Sequence, residues 1–373
     1  MIKQIRKPWG GVLTPRERFV RQMHYQPVDR TFNMEFGYWD ENFYLWRMFR
    51  DNGIKNNAEA DVFFGFDPIR GIGGSVFMDP LFEEVILRRK DEKTIIMQNK
   101  DGLIVERPDD QHSTISRYLK SPVTTMDEWQ KLKRERFDVH APSRLVDVSR
   151  YRRIHGPDAE RTYPLGVSCG SMIGRIRDLL TFEGLCYAYY DDPEMLEDMV
   201  ETCCRLVLHF LDQVLDHFDF DFASGWEDIC FKNGPILPPA FFEDVLRPRY
   251  ERIHRKLSDH GIDIWYTDCD GDVRPILPAF MAGGINCLFP FEVNSCAHPG
   301  ELLDQHVGLR IMGGVDKMEL AKGPQAIDAY LATLLPYVRR GGYIPFCDHR
   351  CPPNVKEEDY LYYLDQKRKL FTF

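Results

Sequence analysis

The chain has 373 residues, 43% hydrophobic and 28% charged, which is the balance of a folded globular protein and excludes disordered or collagen-like classes. Its formal net charge of −10 argues against unaided binding to nucleic acid or to an anionic membrane, both of which reward clustered Lys and Arg. The expected partner is a small molecule or another protein. No apolar run is long enough to span a bilayer, and Met1 to Gly10 lacks the apolar core of a signal peptide, so a cytoplasmic location with reduced cysteines is expected.

In chain order, Thr31 to Phe36 reads as a first strand. A helix from about Asn42 to Asn52 ends at Gly53, and Asp61 to Phe66 reads as a second strand. From Phe82 to Arg107 the pattern changes. Val85-Ile-Leu87, Thr94-Ile-Ile-Met97 and Leu103-Ile-Val105 are separated by polar turns, which predicts an inserted antiparallel β-meander at residues 82–107. Thr124 to Pro157 is polar and reads as surface helices.

After residue 160 strands and helices alternate. Strands are predicted at Tyr163 to Cys169, Phe218 to Ala223, Ile262 to Thr267, Ile285 to Phe289, Leu309 to Gly313 and Gly342 to Phe346. The helix opened by Asp192-Pro193 carries Leu196, Val200, Cys203, Val207, Phe210 and Val214 on one face, so Cys203 and Cys204 are packing residues. Further helices run from near Pro239 to Gly261 and from Pro324 to Arg340. No Gly-x-Gly-x-x-Gly follows the first strand and no phosphate-binding loop occurs, which disfavours a doubly wound nucleotide-binding sheet. The prediction is a single domain over residues 1–373, an α/β fold of the (β/α)8 TIM-barrel class with the meander inserted.

In such a barrel the reactive groups lie on the C-terminal ends of the strands. There the sequence offers Glu35 and Tyr38; Asp67; Ser168 and Cys169; Trp226, Glu227 and Asp228; Asp268, Cys269 and Asp270; Glu292; Asp316; and finally Cys347, Asp348 and His349. A strand continuing through Asp268-Cys-Asp270 puts both carboxylates on one face. With Glu292 and Cys347 they form a candidate ligand set for a divalent metal, matching zinc only loosely because closed zinc sites favour sulfur and nitrogen donors. The competing reading is helix capping, which accounts for Asp270 or Asp272 without a metal. Cys347-Asp-His-Arg-Cys-Pro-Pro353 reads either as an active-site loop or as a satisfied polar turn. Phe36, Tyr38, Trp39 and Trp46 wall a pocket or belong to the core, and Lys367 to Lys369 reads as a solvated helix face.

Several stretches resemble one superfamily. Leu13-Thr-Pro-Arg-Glu-Arg-Phe19 with Gln26-Pro-Val-Asp-Arg30 is similar to the opening of the uroporphyrinogen decarboxylase superfamily. Gly225-Trp-Glu-Asp-Ile229, Asp268-Cys-Asp-Gly271, Gly313-Gly-Val-Asp-Lys317 and Gly341-Gly-Tyr-Ile-Pro345 with Cys347-Asp-His-Arg350 resemble its decarboxylase-like branch. The resemblance implies a barrel with a deep cleft and one of two activities. These are cofactor-free decarboxylation of uroporphyrinogen, and zinc-dependent methyl transfer between a corrinoid protein and a thiol. The decarboxylases carry arginines on the first strand, where this chain has Asn33-Met-Glu-Phe-Gly-Tyr38, and an acidic group is wrong for a polycarboxylate substrate. The methyltransferases ligate zinc through His-x-Cys and a later Cys. Here Asp268 and Asp270 stand at the first pair and Cys347 at the last.

The leading expectation from the resemblance is a metal-dependent methyltransferase or demethylase, working with a corrinoid protein on a small methylated compound. Asp268, Asp270, Glu292 and Cys347 would hold the metal, zinc being the candidate; His349, Glu227 and Asp348 would serve catalysis; Glu35, Tyr38, Trp226 and Asp316 would bind substrate. The alternatives are a metal-free decarboxylase of another acid, with Asp270, Tyr266 or His349 as proton donor, and a non-catalytic tetrapyrrole or corrinoid binder. The resemblance also implies a homodimer packed through barrel helices.

Overall fold

The computed structural model describes residues 4–109 and 116–373. In chain order its strands are β1 (Arg70–Ile72), β2 (Val85–Arg89), β3 (Thr94–Gln98), β4 (Ile104–Pro108), β5 (Arg117–Lys120), β6 (Leu165–Ser168) and β7 (Phe222–Trp226). They continue with β8 (Cys230–Phe231), β9 (Gly234–Pro235), β10 (Trp265–Asp268), β11 (Cys287–Phe291), β12 (Arg310–Val315) and β13 (Tyr343–Cys347). The central sheet has seven strands in the order β1-β6-β7-β10-β11-β12-β13, and every neighbouring pair in it is parallel.

Period-two alternation divides the core into two. Phe222, Ile264, Met312, Ile344 and Phe346 point to one side of the sheet, into a cluster with Phe19, Met23 and Phe32. Their neighbours Ala223, Trp265, Ile311 and Tyr343 point to the other side, into a large cluster with the helices Pro193–Val214, Arg247–Ser258 and Pro324–Arg340. Each of the buried Ile, Met and Phe side chains stabilises the fold by roughly 1.5–3 kcal/mol. The smaller cluster fills one end of the sheet's concave side. Phe36, Tyr266 and Phe289 are only partly buried against it and form the floor of the space above.

Two expected strands are absent. Asp61 to Phe66 lies in the helix Asn57–Phe64, because the Asn56 side chain caps its first turn, Ala60, Phe63 and Phe64 recur at helical spacing, and Gly65 ends it in the left-handed conformation. Its place in the sheet goes to β1. Residues 31–36 form no strand either. They run beside the end of β13, where Glu35 accepts a hydrogen bond from the Cys347 N–H, and Asn33 O accepts one from Asp67 N ahead of β1. No ladder joins β13 to β1 among the described residues, so the sheet is barrel-like with a gap at this position. The predicted helix at 42–52 is two short turns, Asn42–Leu45 and Arg47–Arg50, divided at Trp46.

Of the remaining central strands, β6 ends one residue before its apolar run predicts and the other five end one to three residues later, so that Trp226, Asp268 and Cys347 are themselves strand residues. Strands β2, β3, β4 and β5 form a separate antiparallel sheet in that order, whose fourth strand lies beyond the predicted meander. The opening motif is a cap. Glu17 N donates to Thr14 Oγ1 (3.2 Å), Thr14 N donates to Glu17 Oε2 (2.8 Å), and the following Arg18 binds Asp29 (2.8 Å). No helix among the described residues is long and apolar enough to cross a membrane.

Candidate active site

At the C-terminal ends of the parallel strands lie two adjoining cavities of about 640 and 580 Å³, both lined by Trp226 and Asp268. The first reaches Ser168, Ser224, Tyr266 and Arg175; the second reaches Phe36, Trp39, Asp270, His349 and Arg350. Volumes of this order suit a small organic molecule.

Asp268 closes β10 with its carboxyl in the cleft. Burial, reinforced by the neighbouring Asp228 charge and opposed by Arg350, raises it to about 7. Asp270 is raised to about 8, by burial first and then by Glu292, Asp228 and Asp268. Its Oδ1 is buried without a hydrogen-bond partner, while Oδ2 lies 3.4 Å from His349 Nε2. Burial pushes His349 down to about 4. An adjacent acid and imidazole ordinarily stabilise each other's charges, but here desolvation dominates both. Near neutral pH the proton of this pair rests on the carboxyl, beside a neutral ring.

The other expected site residues stand behind the cleft. Glu227 is buried and accepts hydrogen bonds from the N–H groups of Met172, Ile173 and Gly174 and from the hydroxyls of Ser171 and Tyr250 (2.8–3.1 Å). It thereby anchors the start of the helix Gly174–Asp191 under Trp226. Asp348, fully buried, accepts from Val293 N and Lys317 N, each at 3.2 Å, and ties the loops after β11 and β12 to the end of β13. Asp316 caps the helix Lys317–Leu320 through Met318 N (2.7 Å) and accepts from Asn294 (2.8 Å). Glu35 binds Lys367, Tyr363 and Cys347 N, and Tyr38 hydrogen-bonds Tyr360 inside an aromatic cluster. Neither lines either of these two cavities. Lys367, expected on a solvated face, is buried, because its helix faces residues 34–35. Phe36 and Trp39 line the cleft, whereas Tyr38 and Trp46 belong to the core.

The four expected metal donors do not assemble. Glu292 is engaged by Lys317 (2.9 Å) and Ser295 (3.1 Å), and this pairing holds its carboxyl below the usual range despite burial. The Cys347 thiol is buried against Cys351, and this contact, with desolvation, raises it well above the ordinary thiol value. Among the described residues no group of three or more His, Cys, Asp or Glu side chains is placed to hold a metal ion. What the structure brings together is Asp268, Asp270, His349 and Trp226, with Asp228 and Arg350, which the sequence places beside strand ends without assigning them a role. Asp228 has φ of 43° and binds Arg177 at 2.9 Å; that conformation tilts it into the cleft and carries no sequence signature other than its place after a strand. Arg175 and Asp178 come from the helix Gly174–Asp191 and follow no predicted strand directly, so strand-end inspection missed them.

A parallel strand-and-helix sheet with an acidic, aromatic-walled cleft at its C-terminal strand ends defines the class as a barrel-type α/β enzyme. A family model for uroporphyrinogen decarboxylase (URO-D) matches residues 105–369, and the chain belongs to that family. A solved methyltransferase from Methanosarcina mazei is similar in fold, with a TM-score of 0.58 at 13% identity, over 96% of this chain and 99% of that one. No curated protein matches the sequence.

Proposed function

We propose that the protein is a methyltransferase or demethylase that acts on a small methylated compound and passes the methyl group to a corrinoid carried by a partner protein. The observation that carries this reading is Asp270. It is a carboxyl raised to about 8 in a small-molecule cleft, with a buried oxygen free to bind substrate. When a methyl group leaves a heteroatom, the electron pair of the broken bond stays on that atom, and a protonated carboxyl beside it supplies the proton. The corrinoid would supply the nucleophile that accepts the methyl group.

Trp226 and Phe36 give the substrate apolar walls, and neutral His349 can take up or return the proton of Asp270. Asp40, Glu41 and Asp228 surround the same cavity, which makes it a poor host for a polycarboxylate such as uroporphyrinogen. Because the expected donors do not fit a metal, no step is assigned to one.

The same raised carboxyl favours one second reading, proton delivery to carbon in a metal-free decarboxylase. The two are separated by incubating the protein with methoxylated and N-methylated compounds and free cob(I)alamin, and following cobalt absorbance and the demethylated product. Methyl transfer that disappears in Asp270→Ala supports the proposal. Carbon dioxide release from a carboxylic acid, with no methyl transfer, replaces it with the second reading.

A further inference from the structure

The two halves of the cleft differ in chemistry. The half that holds Asp270 is walled by the rings of Phe36, Trp39, Tyr44 and Trp226, and Asp40, Glu41 and Asp228 bring carboxylates to the same space. Arg350 is the one Lys or Arg side chain on this lining among the described residues. The adjoining half offers instead the hydroxyls of Ser168, Ser224 and Tyr266 and the guanidinium of Arg175.

Trp39 and Tyr44 are 48% and 56% exposed, and neither ring stacks on another ring or on a cation among the described residues. Asp40 and Glu41 likewise have no ion-pair partner there. Folding accounts for neither pair, since the aromatic side chains that stabilise this region, such as Tyr38 and Trp46, lie in the core behind it. The face of an aromatic ring is negative and attracts a cation within about 6 Å of its centre, a quaternary ammonium above all. The chain uses the same attraction at this wall, seating the Arg177 guanidinium 5.4 Å from the Trp226 ring centre. An uncharged methyl ether would engage the rings alone, whereas a methylated ammonium group engages both the rings and the carboxylates.

We propose that the Asp270 half of the cleft is a subsite for a methylated ammonium group, the methyl donor being a small quaternary ammonium compound. This rests on the methyl-transfer reading above. The C–N bond breaks with its electron pair left on nitrogen, the methyl group passes to the corrinoid nucleophile, and the amine so formed takes the proton of Asp270.

The test separates charge from shape. Choline and the uncharged alcohol in which carbon replaces its nitrogen share one outline. Isothermal titration calorimetry of the full chain is expected to show choline bound about tenfold or more tightly than the alcohol. Trp39→Leu keeps an apolar wall without the π-face, and the double variant Asp40→Asn with Glu41→Gln keeps the shape without the charge. Each is expected to remove most of the preference and to leave affinity for the alcohol unchanged. Trp39 and Asp40 are exposed and Glu41 is half-buried, and an unchanged melting temperature verifies that the variants fold. Absent binding of choline, equal affinity for the two probes, or a preference that survives in either variant overturns the proposal. The methyl-transfer reading fails separately. Selective choline binding with no methyl transfer from any N-methyl compound keeps the cation subsite and removes only its role in holding a methyl donor. Transfer from neutral methyl ethers by a cleft that does not prefer choline keeps that reading and overturns the subsite.

Discussion

Lys367 and Glu35 form an interior ion pair, with 2.9 Å between ammonium and carboxylate and each side chain 1% exposed. The pair joins the C-terminal helix Glu357–Leu370 to the segment that runs beside the end of β13, and Tyr363 and the Cys347 N–H complete the carboxylate's hydrogen bonds. Removing one partner leaves a buried charge uncompensated. Glu35→Gln and Lys367→Met are each expected to cost about 3–5 kcal/mol, and the double variant less than their sum. Urea unfolding of the four proteins checks this; additive single effects would show that the two groups act independently.

Glu35 and Lys367 also show where sequence reasoning stops. A glutamate after a strand-like run and a lysine in a basic helix turn each have a surface reading, and nothing local reveals that they meet across 332 positions. The parallel sheet is legible from residue 160 onward, because its strands are apolar runs set between amphipathic helices. Residues 61–66 mislead because Phe63, Phe64 and Phe66 suit a strand as well as a helix, and the Asn56 cap decides the matter. At the site, Asp268, Asp270 and His349 are visible as strand-end groups. Which acids face the cleft and which cap a helix or anchor a loop, as Asp316 and Glu227 do, depends on backbone donors supplied from distant segments.

The raised carboxyls set a pH dependence. Asp268 and Asp270, at about 7 and 8, lie above the roughly 3.9 of an unfolded aspartate, so the folded chain holds protons that the unfolded chain releases. Their contribution to stability is full below about pH 4, falls progressively as pH rises above it, and is gone once pH has passed about 7 for Asp268 and 8 for Asp270. Asp270→Asn mimics the protonated form. It is expected to match wild type in melting temperature only near pH 3, and to exceed it by a margin that grows from about pH 4 up to about pH 8 and is still present at pH 9, while methyl transfer is lost. Identical melting profiles across that range would mean that Asp270 is an ordinary ionised carboxylate.

The cavity wall gives a separate expectation. Trp226 lines both halves of the cleft and stacks with the Arg177 guanidinium at 5.4 Å. Trp226→Ala removes a wall and leaves the proton donors in place. The KM for substrate is expected to rise about tenfold, equivalent to ~1.4 kcal/mol, with kcat changed much less. A fall in kcat at constant KM would assign the indole to the chemical step.

Metal dependence is the point at which the structure departs most from what the resemblance implied. The resemblance implies a zinc-thiolate role for Cys347, yet its thiol is buried against Cys351 and its main-chain N–H is bound to Glu35. Glu292 is held by Lys317, which also lies 3.6 Å from Asp348, so freeing Glu292 for a metal would break an existing ion pair. Cys347→Ser is therefore expected to keep its activity within about threefold, while losing ~1–2 kcal/mol of stability from the buried hydroxyl. Dialysis against a chelator is expected to leave the wild-type rate unchanged. Elemental analysis that finds a stoichiometric metal lost in Cys347→Ser, with the rate falling in proportion, would restore the metal and require this region to rearrange when it binds.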